Sequence, residues 1–178
     1  MVKFNKGLDG VLSAVTSMVL IVMMLHIVAN AILRHFLDEP IYGTNEVVAF
    51  WYLPAVVLLG IPAAQLRNEQ ITVTLVVDHI NRKSALAFKV FASVLGILMS
   101  LGFAWFGLHE ALTKMEIGAT AGVVDVIAWP VYFLVPIVFV LLAVLFLIDI
   151  AMTLKTGERE VDLTSGQKVV HDIEESIV

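Results

Sequence analysis

Few side chains in this sequence could do chemistry. The chain has no cysteine, which excludes disulfides, thiolate metal sites and cysteine nucleophiles. It also lacks a nucleophile–base set, a glycine-rich phosphate loop and any cluster with the spacing of metal ligands. The sequence therefore predicts that the protein is not an enzyme. No basic patch points to nucleic acid.

Two histidines, His26 and His109, are the residues from which a cofactor site could be built. If the chain has four spans, they lie toward the same side of the membrane on the first and third helices. Two facing histidines in a helical bundle can ligate haem. A haem-bearing membrane anchor of a respiratory complex is therefore one open hypothesis. The simpler interpretation is that each histidine contacts a neighbouring helix, and we expect no cofactor.

Polar residues form two collars around an apolar run from 47 to 66. Arg34 lies at the end of the preceding apolar run, and Glu46 lies at the start of the run from 47 to 66. The two side chains could therefore pair across a short loop. Alternatively, Arg34 reaches lipid phosphate and Glu46 lies at a helix N-terminus, where negative charge is favoured. The front collar consists of Arg34, His35, Asp38, Glu39, Pro40, Tyr42 and Glu46, and the back collar of Arg67, Asn68, Glu69 and Gln70.

The middle of each apolar segment lacks charged groups, whereas a transporter acting alone needs polar groups near the midplane. Asp149 lies close to the end of the last segment, where hydration or a lysine partner suits it. Lys89 is expected to extend to the membrane surface. Small residues within these segments favour close helix packing rather than a transport path. They are Gly60, Ala63 and Ala64 on the second segment and Ala92, Ser93 and Gly96 on the third.

The elements that position these residues are membrane-spanning helices. The 178-residue chain is 60% hydrophobic and 15% charged, whereas soluble domains are about a quarter charged. The predicted fold class is an all-α membrane protein with four transmembrane helices. Residues 71–80 are too few to span and are predicted to form a short interfacial helix or loop. The predicted spans are about 10–33, 47–66, 85–108 and 126–154, with a loop at 109–125.

These four spans form one membrane domain, residues 10–154, between a short N-terminus (1–9) and a mobile tail (155–178). Nine of the eleven lysines and arginines then lie on the side of the two termini, and only Arg34 and Lys114 lie opposite. The positive-inside rule therefore predicts cytoplasmic termini. A cleaved signal peptide is the alternative for the first run, but that run is longer than a typical signal core. Pro130 and Pro136 are expected to bend the fourth helix.

The order of residues around the second span resembles a known family. An arginine ends the first span, a proline follows, a glutamate opens the second span, a glycine lies within it and an arginine follows it. The matching positions are Arg34, Pro40, Glu46, Gly60 and Arg67, followed by QITVTLVVDHI with Ile71, Val73 and Asp78. Together they resemble the small permease subunit of TRAP (tripartite ATP-independent periplasmic) transporters, the DctQ-type family.

The resemblance implies a multi-pass protein of the bacterial inner membrane with two protein partners. One is a large multi-span permease subunit that carries substrate and sodium, and the other is a periplasmic binding protein that captures an organic acid. The small subunit would support the large one, with Arg34, Pro40, Glu46, Gly60, Arg67 and Asp78 as interface or structural residues. Asp38 and Glu39 would help dock the binding protein. A small membrane protein surrounded only by lipid, without a partner, is a further alternative.

Overall fold

A computed structural model of the chain describes residues 2–69, 81–122, 124–157 and 162–165. It contains four long helices, which we number α1 (Val2–Leu37), α2 (Thr44–Arg67), α3 (Arg82–Glu116) and α4 (Trp129–Thr156). Each is long and apolar enough to cross a bilayer. The predicted fold class, four transmembrane helices, is confirmed. The segment predicted to be an interfacial helix or loop, residues 71–80, lies outside the described residues.

The helices extend beyond the apolar spans that the sequence predicts. Helix α1 begins at Val2, and α3 continues to Glu116, so residues 109–116 are helical although we predicted a loop there. Polar residues at the ends of a membrane helix remain helical because backbone hydrogen bonds still satisfy their amides. An ion pair between Lys114 and Glu110, one turn apart with a 3.2 Å separation, supports this last part of α3.

Prolines produce irregularities in α2 and α4. Pro54 has no amide proton to donate to the carbonyl of Phe50, and residues Val48–Tyr52 next to it are π-helical. Pro136 is unable to donate to the carbonyl of Tyr132, and α4 is interrupted by a turn at Phe133. The irregularity expected in the fourth helix from its prolines therefore lies at Phe133.

The helices are neighbours in the order α1, α2, α4, α3. The most extensive contact joins α3 to α4, and α2 packs against both α1 and α4. Helix α4 is the most buried of the four, and α1 leaves most of its apolar surface uncovered. The two outer members of this row are therefore α1 and α3.

Glycines bring α3 close to α4. A Cβ atom at Gly96 would lie 2.8 Å from the ring of Phe146, and one at Gly107 would lie 2.6 Å from a methyl group of Val135. Close packing at Gly96 agrees with the prediction for the third segment. At Gly60 no neighbouring atom of the described chain lies within 4 Å of the position of its Cβ, so the structure gives this glycine no close contact with another helix of the chain.

Part of the polar tail packs against the helices. Residues 155 and 156 continue α4, and in residues 162–165 the side chain of Leu163 is fully buried. It contacts a cluster that joins three helices, made of Leu12 on α1, Leu66 on α2, and Leu145 and Met152 on α4. We predicted a mobile tail from 155 to 178; its described residues are the last two of α4 and the segment 162–165, which packs against the helices through Leu163.

Candidate functional site

The polar residues of the structure lie mainly at its two ends. We call the end with the loops 38–43 and 117–128 the loop end, and the opposite end, with the start of α1 and the end of α4, the terminal end. The two loops contact each other, since Gly43 lies against Val124 and Val126. The loop end and the terminal end carry the two predicted collars and are described in turn.

The predicted front collar lies at the loop end and is largely exposed. Arg34 and Asp38 line an open depression with Asn30, and Glu39 and Pro40 project from the loop beside it. Asp38 has a positive φ of 53°, which reverses the chain after α1. The loop is anchored where the backbone amide of Ile41 donates to the side-chain oxygen of Asn30 at 2.7 Å. This surface is accessible to a partner.

Arg34 and Glu46 do not form the ion pair that the sequence allowed. Both residues are described, and the ion pairs among the described residues do not include one between them. Glu46 instead lies next to Gly122 of the opposite loop, where its Cγ would be 3.9 Å from a Cβ. The side chain of Arg34 is exposed and points to the depression described above.

The loop between α3 and α4 is compactly folded, which the sequence analysis missed. The amide of Ala121 donates to the carbonyl of Val126 at 2.7 Å, and that of Ala128 to the carbonyl of Ala119 at 3.0 Å. The indole of Trp51 on α2 donates to the carbonyl of Ile127 at 2.8 Å. Alternating small residues with Gly118 and Gly122, both at positive φ, were the available signal.

His26 links α1 to the start of α2. The Thr44 hydroxyl donates to the carbonyl of Ile41 at 3.0 Å, so it accepts from Nε2 of His26 at 3.3 Å. Nδ1 of a neutral His26 then accepts from the Tyr52 hydroxyl at 3.4 Å. Both distances are long, but both ring nitrogens face protein groups. A haem iron would need one of these nitrogens free.

The second histidine does not approach the first. His109 is exposed on α3, which is the helix farthest from α1 in the row. Within the described ranges, the structure also brings together no group of three histidine, aspartate or glutamate residues that could hold a metal ion. The hypothesis of a haem anchor therefore has no supporting geometry.

At the terminal end, Arg67 of the back collar binds α1. Its Nε and a terminal nitrogen contact the two carboxylate oxygens of Asp9 at 2.9 and 3.2 Å, and the same terminal nitrogen donates to Ser13 at 2.9 Å. Exposed pairs of this kind contribute about 1 kcal/mol or less, although the two-pronged geometry favours the upper end. Sequence analysis missed Asp9. Asp78, another predicted site residue, lies outside the described residues.

A second ion pair lies between α3 and α4, and its carboxylate is buried. Lys89 Nζ lies 2.9 Å from a carboxylate oxygen of Asp149, and the Ser93 hydroxyl donates to the same oxygen at 3.2 Å. The residue Asp149 is only 1% exposed. We expected Lys89 to extend to the membrane surface; in the structure its ammonium group contacts this carboxylate, and a buried carboxylate requires a charged partner. The lysine partner foreseen for Asp149 is therefore Lys89.

Charge is distributed unequally between the ends. At the loop end, the described acidic side chains outnumber the lysine and arginine side chains. The acidic ones are Asp38, Glu39, Glu46, Glu110, Glu116 and Asp125, and the basic ones are Arg34 and Lys114. A surface of one sign attracts a partner of the opposite sign and raises the rate of association.

Comparison with known proteins identifies the family of this four-helix chain. Residues 23–156 match the model of the DctQ component of tripartite ATP-independent periplasmic transporters. The match covers α2, α3, α4 and the second half of α1. The chain belongs to the DctQ family. No curated protein and no solved structure gives a significant match.

DctQ proteins are small membrane subunits of TRAP transporters, which work with a large permease subunit and a binding protein. The chain is thus a transport component and not an enzyme, and a multi-pass protein of the inner membrane. The family contradicts the alternative hypothesis of a respiratory haem anchor, in agreement with the partners of His26. It also contradicts a small membrane protein that works without partners.

Proposed function

We propose that this chain is the fixed frame of a sodium-coupled TRAP transporter for organic acids. It would stay fixed while the mobile part of the large permease subunit, which binds substrate and sodium, slides against it. The observation that carries the proposal is the pairing of charged side chains between α3 and α4. Asp149, the one buried charged residue in the described part of the chain, has its carboxylate paired with Lys89 and hydrogen-bonded by Ser93.

Tight packing of α3 on α4 supports a role as a frame. Because Gly96 and Gly107 lie close to Phe146 and Val135, sliding the two helices would cause steric clashes and separating them would lose van der Waals contacts. A substrate path, in contrast, requires helices that part and groups near the midplane that bind the substrate. Substrate would accordingly contact the large subunit.

Apolar surface is available for the large subunit on the two outer helices. Helix α1 exposes Met18, Ile21 and Leu25, and α3 exposes Phe91, Met99 and Phe106. In a bilayer such surface is covered by lipid or by a partner helix, and van der Waals packing drives helix association. We expect the large subunit to cover part of it and lipid the remainder.

We further propose that the loop end faces the periplasm and helps dock the binding protein. The distribution of lysine and arginine over the sequence supports this orientation. The surface offered is acidic, and Asp38 and Glu39 are exposed at its edge. Arg34, Pro40 and Glu46, on or next to the same loop, would shape it. A complementary basic patch on the binding protein is expected.

Charge reversal tests the docking proposal. The variant Asp38→Lys/Glu39→Lys should slow association of the binding protein with the reconstituted transporter by about tenfold at low salt, and less at high salt. The control is Glu69→Lys, an exposed glutamate at the terminal end. Unchanged association and transport in the double variant would refute docking at these residues. If the control slowed association equally, docking would not be specific to the loop end.

A further inference from the structure

A short segment beyond α4, residues 162–165, closes the terminal end of the structure. We call it the strap. Its residue Leu163 is fully buried and belongs to one hydrophobic cluster with Leu12 on α1, Leu66 on α2 and Met152 on α4. The strap thus adds an apolar side chain to a core that the helices alone leave incomplete.

Both backbone groups of Leu163 are hydrogen-bonded to different helices. Its amide donates to the carbonyl of Leu66 at 2.9 Å. That carbonyl belongs to the last turn of α2, where carbonyls have no partner within the helix. The side-chain amide of Asn5, itself fully buried on α1, donates to the carbonyl of Leu163 at 2.9 Å. These two bonds fix the strap to α1 and α2 at once.

The strap is also ordered internally by Asp162. Its carboxylate accepts from the amide and hydroxyl of Thr164, both at 2.7 Å, and from the hydroxyl of Ser165 at 2.8 Å. Burial alone would raise the pKa of Asp162, but these hydrogen bonds outweigh it and hold the pKa below its usual value. The turn therefore presents Leu163 in a defined position.

We propose that the strap is a clasp that locks the N-terminal third of α1 onto α2 and α4. Helix α1 packs mainly on α2 and leaves most of its surface uncovered. Near its start, the described chain also joins α1 to Arg67 through Asp9 and Ser13, and because Arg67 is exposed this contact is weak. Release of the strap frees this part of α1 and leaves the α3–α4 pair intact.

Cysteine labelling tests the clasp, since the native chain has no cysteine. In the purified full-length protein, Leu163→Cys should react with a water-soluble maleimide at least about tenfold more slowly than Ser165→Cys, whose side chain is exposed. Adding Asn5→Ala should remove most of this protection. Adding Lys6→Ala, an exposed neighbour on the same helix, should not. Equal rates at 163 and 165 would overturn the proposal.

In a second measurement the reporter cysteine lies outside the strap, so that proteins with and without Leu163 can be compared. The reporter is Leu8→Cys, because Leu8 on α1 is partly buried against the cluster that contains Leu163. The control is Ala104→Cys, at a buried position on α3. Leu163→Asp should raise maleimide labelling at position 8 by about tenfold and leave position 104 protected. Unchanged labelling at 8 would show that α1 does not depend on the strap. Equal exposure at 104 would show general unfolding, and either result overturns the clasp.

Discussion

The carboxylate of Asp149 belongs to a residue that lies about 10 Å along α4 from its last residue, Thr156, at 1.5 Å per residue. An isolated charge buried in the protein is costly, and only a close partner makes it tolerable. Lys89 supplies the opposite charge from α3, and Ser93 adds a hydrogen bond. The pair therefore fixes which residues of α3 and α4 face each other.

Removal of one partner should reveal this dependence. We expect Lys89→Met to destabilise the protein by about 3–5 kcal/mol, because it leaves the buried carboxylate of Asp149 without a counter-charge. Lys83→Met, at an exposed position on the same helix, should change stability by less than about 0.5 kcal/mol. Thermal unfolding in detergent measures both. Equal effects of the two substitutions would contradict a structural role for the buried pair.

Trp51 fastens the compact loop at the loop end. Trp51→Phe removes the indole donor to Ile127 and should destabilise the protein by about 0.5–1.5 kcal/mol, with faster hydrogen exchange confined to residues 117–128. Trp105→Phe is the matched control, since this tryptophan is 72% exposed on α3. The loop assignment would be wrong if exchange in residues 117–128 did not respond.

At the scale of elements, close contact of α3 with α4 requires residues without side chains. Gly107→Ala should destabilise the protein by about 1–3 kcal/mol, because its methyl group would meet the stiff side chain of Val135. Gly102→Ala on the same helix has no atom within 4 Å and should be neutral or slightly stabilising, since alanine favours helix. Unfolding curves that rank these two variants the other way would refute the tight pairing.

The sequence predicts the helices well because crossing a bilayer requires long apolar segments, whatever they pack against. It predicts helix ends less well, because polar residues such as those from 109 to 116 remain helical outside the apolar core. Close packing was found at Gly96 but not at Gly60, since composition does not say which face of a helix meets a neighbour.

Contacts between distant segments were the hardest to predict. Arg67 was identified as a site residue, but its partner Asp9 lies 58 positions away, and nothing local marks it. Leu163 lies in a polar tail whose composition suggested mobility, and its burial depends on a gap left by three helices. Asp149 was expected to be hydrated or to pair with a lysine, but the choice of Lys89 depends on the order of the helices.

For the whole molecule, the row α1, α2, α4, α3 differs from a closed four-helix bundle in having two outer helices. Apolar surface on both is consistent with a subunit that is surrounded by lipid and by a larger membrane partner. The loop end is acidic and compactly folded, whereas the terminal end carries the strap. The two ends therefore present different surfaces to the compartments they face.

The proposed orientation has a direct test. In intact cells with a permeabilised outer membrane, a maleimide that does not cross the inner membrane should label Ile117→Cys, which is exposed in the loop of the loop end. It should not label Lys3→Cys at the terminal end until the inner membrane is opened. The reverse pattern would place the loop end in the cytoplasm and remove the proposed docking surface.

The central claim is that this chain holds a large permease subunit, and co-purification tests it most directly. The chain would be tagged at its C-terminus, produced in its native host and solubilised in mild detergent, with an unrelated four-span protein as the control. We predict that a large multi-span membrane protein is recovered with the tagged chain and remains bound to it during gel filtration. Recovery of the folded chain without such a partner, while the cells still take up organic acids, would contradict the proposal.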